Sequence, residues 1–148
     1  MFVPNWATFD RSFFYLIHPS EHGLEEVDAL LLWRVYSLAR YHGLTRVGLT
    51  AGFRTWDEQE ALYLNPNISA ARPGISWHEY GAAIDIPYQY RTRMFIGNYE
   101  RFGIYRPNTP FHIQLDIHRQ NWTPRAEGIA HYRMLAREGR VAGNATFN

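Results

Sequence analysis

The chain has 148 residues, a formal net charge of +1, no cysteine and 15 basic residues, every one of them arginine. This length suits a single domain that buries about two-thirds of its unfolded surface. The missing cysteines exclude disulfides, thiolate metal sites and cysteine nucleophiles, and the missing lysines exclude Schiff-base or lysine-base chemistry.

The arginines are scattered rather than blocked, so no footprint of a duplex-binding protein is present and no nucleic-acid partner is expected. No apolar run approaches membrane-spanning length, so no membrane insertion is expected. The first residues carry no basic leader, signal core or small-residue cleavage site, which predicts synthesis as a soluble cytoplasmic chain. Residues 1–23 are rich in Phe, Tyr and Trp and punctuated by Pro4, Pro19 and Gly23, the pattern of an irregular arm packed on the domain. His18 and His22 lie in this arm, where loop histidines are usually solvated.

From Leu24 to His42 apolar residues recur at helical spacing. Glu25, Glu26 and Asp28 stand in the first turn, Arg40 and His42 in the last, and Gly43 is placed as the C′ residue. Thr45–Thr50 is β-prone and runs into Ala51–Thr55. Trp56–Leu64 reads as a short helix with acidic residues at its start and Ala61, Leu62 and Leu64 on its apolar side. The turn-rich residues 65–74 then lead as a loop into Pro73–Tyr88.

In that stretch His78 and Asp85 bracket a glycine and two alanines, small residues that let the backbone fold tightly enough for both side chains to converge. An imidazole and a carboxylate are both good zinc ligands. A buried, hydrogen-bonded histidine followed by an ordinary strand is the competing reading of the pair alone. His78 is expected on a loop, Ser76–Tyr80, and Asp85 on a strand, Ala82–Ile86. Glu79 is expected to be exposed or paired with an arginine, or else near a bound water. Residues 90–102 read as a helix. Phe111, Ile113, Leu115 and Ile117 then alternate with His112, Gln114, Asp116 and His118, the pattern of a half-buried strand with one polar face. A final helix is expected over 124–140, with Ala126, Ile129, Tyr132, Met134 and Leu135 on one side. Residues 141–148 read as a flexible tail or an interaction strand.

Ser76, His78, Gly81, Ala83 and Asp85 spell S-x-H-x-x-G-x-A-x-D, which resembles the zinc-binding motif of the M15 peptidases, the D-alanyl-D-alanine carboxypeptidases and related phage endolysins. The TAGFRT stretch resembles the arginine-bearing segment of the same family, and Gln59 matches a Gln-containing helix that often follows it. The segment from Gly103 to Trp122 resembles its C-terminal ligand strand. The resemblance implies an α+β fold with a small, mainly antiparallel sheet and flanking helices, of hedgehog/DD-peptidase-like architecture. It implies Zn2+ held by His78, Asp85 and His112, with Trp122 at the spacing that favours His112 over His118. Arg54 is implied to bind a substrate carboxylate or an oxyanion, and Ser76 and Gln114 to support the ligands. The implied substrate is the peptidoglycan stem peptide, cut at D-Ala-D-Ala or L-Ala-D-Glu. Lack of a signal peptide fits a phage endolysin or a lysin carried in a virion, acting at the bacterial cell wall beside virion proteins. The family's acid before the last histidine is replaced here by Thr109, so the general base is expected to be Asp116, with Glu79 as the other candidate. The reading from a different class is a non-catalytic virion or wall-binding protein on the same fold.

Overall fold

A computed structural model of the chain describes residues 9–18, 24–74, 76–106, 110–115 and 125–145. Within them lie four α-helices and two small sheets, a small α+β fold. The finer expectation, a mainly antiparallel sheet, is modified at one pairing. Strand β1 (Phe14–Leu16) lies parallel to β2 (Val47–Leu49), with Tyr15 opposite Gly48. Helix α1 (Ala29–Tyr41) supplies the crossover that parallel strands require. The described part of the N-terminal arm is therefore structured rather than irregular: a 3-10 turn, Arg11–Phe13, precedes β1, and Phe13 and Phe14 are buried in the core.

Helix α1 begins later than its sequence pattern predicts. Glu25 and Glu26 lie before it, and Asp28 is its N-cap, accepting from Leu30 N at 2.9 Å. The early acids were placed in the first turn by charge alone, whereas an aspartate side chain that captures a backbone N–H sets the actual start. Gly43 follows the C-cap with φ 79°, as expected of a C′ residue. Leu31, Leu32, Val35 and Leu38 turn inward to form the centre of the core.

Helix α2 (Trp56–Leu64) has the predicted bounds and is started by a reciprocal capping box between Thr55 and Glu58. Its predicted apolar side is not buried: Leu64 is 68% exposed and Gln59 is the buried residue of the helix. A polar contact, described below, replaces the expected apolar one.

The second sheet is antiparallel, with β5 (His112–Leu115) between β3 (Ala83–Asp85) and β4 (Ile104–Tyr105). Residues 50–51 flank β3 on its other edge through an Ala51–Asp85 bridge. The helix expected over 90–102 is divided into α3 (Tyr88–Met94) and a separate 3-10 turn, Tyr99–Phe102. Gly97 and Asn98 fall between the two, so turn residues overrode the continuous apolar spacing. The final helix, α4 (Arg125–Arg137), buries Ile129, Tyr132 and Leu135 but leaves Ala126 and Met134 exposed.

The expected tail is packed over its described length. Val141 and Ala145 belong to the core, and the Asn144 amide donates to Glu25 O and Val27 O and accepts from Ala29 N, each at 2.8 Å. This segment ties to the start of α1 through Asp28, whose carboxylate accepts from Ala142 N and Gly143 N. No helix among the described residues is long and apolar enough to cross a membrane.

Candidate metal centre

Three side chains meet where β3, β5 and the preceding turn come together. His78 rides on a 3-10 turn, Trp77–Tyr80, rather than on the loop expected from sequence. That turn ends at Gly81, whose φ of 68° is left-handed. A Cβ there would also collide with the Glu26 carbonyl, so the motif glycine is required by conformation and by space.

Asp85 and His112 are directly opposed in the antiparallel ladder. Opposed residues present their side chains on the same face, so the register alone brings them together. Asp85 is pinned on its other edge as well: its N–H donates to Ala51 O and its carbonyl accepts from Thr50 N, both at 2.9 Å. The Arg54 N–H donates to His78 O at 3.1 Å, which fastens the 3-10 turn alongside the same segment.

The donor atoms of His78, Asp85 and His112 all lie within 4.8 Å of one another. Asp85 Oδ1 is 3.2 Å from His78 Nε2 and 3.5 Å from His112 Nδ1. The far side of each imidazole has an oxygen partner: Gly52 O is 2.8 Å from His78 Nδ1, and Gln114 Oε1 is 2.9 Å from His112 Nε2. A carbonyl oxygen can only accept, so those outer nitrogens carry the hydrogens and the inner ones present lone pairs. Two lone pairs and a carboxylate oxygen thus face one point, an arrangement that a cation completes. This buried His–Asp–His group can hold a metal ion.

Electrostatics support the same state of the ligands. Burial, the largest influence, pushes the His78 pKa below its ordinary value against the opposing pull of Asp85, so the ring is held neutral. Burial alone would raise the Asp85 pKa. A proton carried on the inner nitrogens of His78 and His112 outweighs it by charge and hydrogen bonding and holds Asp85 well below the usual carboxylate range, a role that a cation between the lone pairs would take over. A neutral imidazole and an ionised carboxylate are the forms that bind metal.

A pH dependence follows from the lowered His78 pKa. The preference of the fold for neutral His78 is fully present above the ring's ordinary pKa, about 6.5, and is lost as pH falls below it. Zinc affinity titrated from pH 7.5 downward is expected to persist to lower pH than at a solvated histidine and then to fall. A decline centred above the ordinary imidazole value would contradict the assignment.

Arg54 stands beside the centre, its Nη2 donating to Asp85 Oδ2 at 3.3 Å and its Nη1 to Gln59 Oε1 at 3.2 Å. Part of its fork is therefore turned inward onto Asp85. Ser76 holds the turn through its backbone: its N–H donates to Glu79 Oε2 and its carbonyl accepts from Glu79 N. Glu79 is buried rather than exposed, and its Oε2 accepts from the Gly74 and Ser76 N–H groups. His18 is exposed and stands outside the metal group. Thr109, Asp116, His118, Trp122 and His22 lie outside the described residues.

Sequence reasoning missed Gly52, because a main-chain acceptor has no side-chain signature. It also passed over Asp28 as a hub, although an aspartate immediately before an apolar helical run is an N-cap signal. Among known proteins, no family model matches the chain and no curated protein matches it.

Proposed function

We propose that this chain is a zinc-dependent peptidase of M15 type that hydrolyses peptidoglycan stem peptides, at D-Ala-D-Ala or L-Ala-D-Glu, and serves as a phage lysin. The observation that carries the reading is the convergence of His78 Nε2, His112 Nδ1 and Asp85 Oδ1 beside an arginine. Two imidazoles and one carboxylate form a catalytic rather than a closed structural donor set, because a tetrahedral ion keeps a position for water or substrate. Bound zinc supplies Lewis acidity and makes water a nucleophile near neutral pH.

The remaining work falls to side chains. Gly52 and Gln114 hold the two rings in the tautomers that aim their lone pairs inward. Arg54 carries more N–H donors than its contacts to Asp85 and Gln59 use, and the rest suit a peptide oxyanion or a substrate carboxylate. Asp116 is the proposed acceptor of the water proton, returning it to the leaving amine. Glu79 is the weaker candidate for that step, since two backbone N–H groups already occupy its Oε2.

The second reading is a non-catalytic virion or wall-binding protein that uses the metal structurally, and Thr109, in place of the family's acid, is what favours it. Digestion of purified muropeptides followed by mass spectrometry separates the two. Hydrolysis is expected to release a single stem-peptide fragment, to stop with a chelator and to return with zinc. Zinc bound stoichiometrically while muropeptides stay intact would favour the binding reading.

A further inference from the structure

We infer that Gln59 is a positioning residue that, through Arg54, decides which oxygen of Asp85 is offered to the metal. The inference rests on the metal reading of the His78–Asp85–His112 group and deepens it.

Gln59 is only 1% exposed, although it sits on a helix whose other side chains are exposed or half-buried. Its two amide atoms have different partners. Nε2 donates to Ala71 O at 2.7 Å and Oε1 accepts from Arg54 Nη1 at 3.2 Å. Because the Ala71 carbonyl can only accept, the orientation of the amide is settled and Oε1 must face the guanidinium. Arg54 Nη2 then reaches Asp85 Oδ2 at 3.3 Å, while Oδ1 faces the imidazole nitrogens at 3.2 and 3.5 Å. Arg54 thus donates to Gln59 on one side and to Asp85 on the other, in a chain that ends in a carboxylate with one oxygen engaged and one presented.

The division of the carboxylate has a consequence for the ion. With Oδ2 retained by Arg54, Asp85 offers one oxygen, and the donor set stays small enough for tetrahedral coordination. If Arg54 lost its anchor, Oδ2 would be released to approach the ion too, which favours larger, oxygen-seeking cations with higher coordination numbers. Helix α2, which presents Gln59, has no fully buried apolar side chain, and Gln59 is its buried residue. The same amide also secures the loop leading to His78, since Ala71 lies in that loop.

Two variants separate positioning from support. Gln59→Met keeps the volume and loses both hydrogen bonds. Gln59→Glu keeps an acceptor for Arg54 and loses the donor to Ala71 O. Zinc affinity is expected to fall about 10–100-fold in Gln59→Met, the usual effect of removing an outer-shell partner. In Gln59→Glu it is expected to stay near the wild-type value even if the melting temperature drops. The cobalt-loaded Gln59→Met protein is expected to show a weakened tetrahedral d–d absorption. An unchanged zinc affinity and cobalt spectrum in Gln59→Met would overturn the inference. So would equal losses in both variants in step with their melting temperatures, which is the pattern of mere structural support. Failure of the wild-type protein to bind zinc would instead remove the metal reading itself, and the inference with it.

Discussion

Asp85→Ala is expected to abolish metal binding. The carboxylate is the common partner in the centre, touching His78 Nε2, His112 Nδ1 and Arg54 Nη2. Removing it takes away the only negative charge among the three donors and leaves two imidazoles beside an arginine, which repels a cation. The loss should exceed the roughly 10–100-fold typical of outer-shell changes, because a ligand itself is gone. A thermal readout makes the result easy to see. Zinc at a hundredfold excess over its Kd stabilises a folded protein by about 2.7 kcal/mol, which for a domain of this size raises the melting temperature by about 5–10 °C. The wild-type protein should show that rise and Asp85→Ala should not. Asp85→Asn, which keeps the shape and loses the charge, should behave like the alanine variant. Persistence of the full zinc-dependent rise in both would mean that Asp85 is not a ligand.

The second large effect concerns stability rather than chemistry. Asp28→Ala is expected to cost about 3–5 kcal/mol, the range seen when a buried charge–partner arrangement is broken on one side. Asp28 is fully buried, and its carboxylate is surrounded by donors from distant parts of the chain. Oδ1 accepts from Leu30 N at 2.9 Å and Ala142 N at 3.2 Å, and Oδ2 accepts from Tyr132 OH at 2.5 Å and Gly143 N at 3.0 Å. Its own N–H donates to Gly81 O at 2.7 Å, which links this hub to the turn that carries His78. Alanine would strand two buried donors, Leu30 N and Tyr132 OH, each costing roughly 1–3 kcal/mol before relaxation, and would release two part-buried ones, Ala142 N and Gly143 N.

Tyr132 belongs to the same arrangement: burial first, and then the neighbouring Asp28 charge, raise its pKa strongly, so it remains a phenol donor. Tyr132→Phe removes the charge-assisted hydrogen bond to Asp28 and the weaker one accepted from Ala145 N at 3.3 Å, and should cost less, about 1.5–3 kcal/mol. Urea denaturation of the three proteins, analysed at equal slope, gives the comparison. A loss in Asp28→Ala no larger than the ~1 kcal/mol of an ordinary exposed cap would disprove the buried-hub role.

Much of the candidate site was legible before any coordinates. His78 and Asp85 pair by residue type and small-residue spacing, His112 is added only by the family resemblance, and the structure brings the three to one point. Gln114 was expected to support a ligand, and its oxygen does lie against His112. The helix Trp56–Leu64 was legible in its bounds because a local capping box sets them. Its burial was not, because that depends on what stands opposite. The packed segment after α4 and the parallel β1–β2 pair likewise turn on partners remote in sequence, whereas the helix after β3 is divided by its own turn residues, Gly97 and Asn98.

The amino-acid sequence alone therefore determined the kinds of donor available, the absence of any thiolate or lysine chemistry, and the bounds of helix α2, since its capping box joins residues three positions apart. The tertiary structure decided the rest. Ladder register set Asp85 opposite His112, a main-chain carbonyl fixed the tautomer of His78, and burial selected its neutral form. Distance and desolvation between remote residues govern whether three ordinary side chains become a cation site, and neither is written in their spacing along the chain.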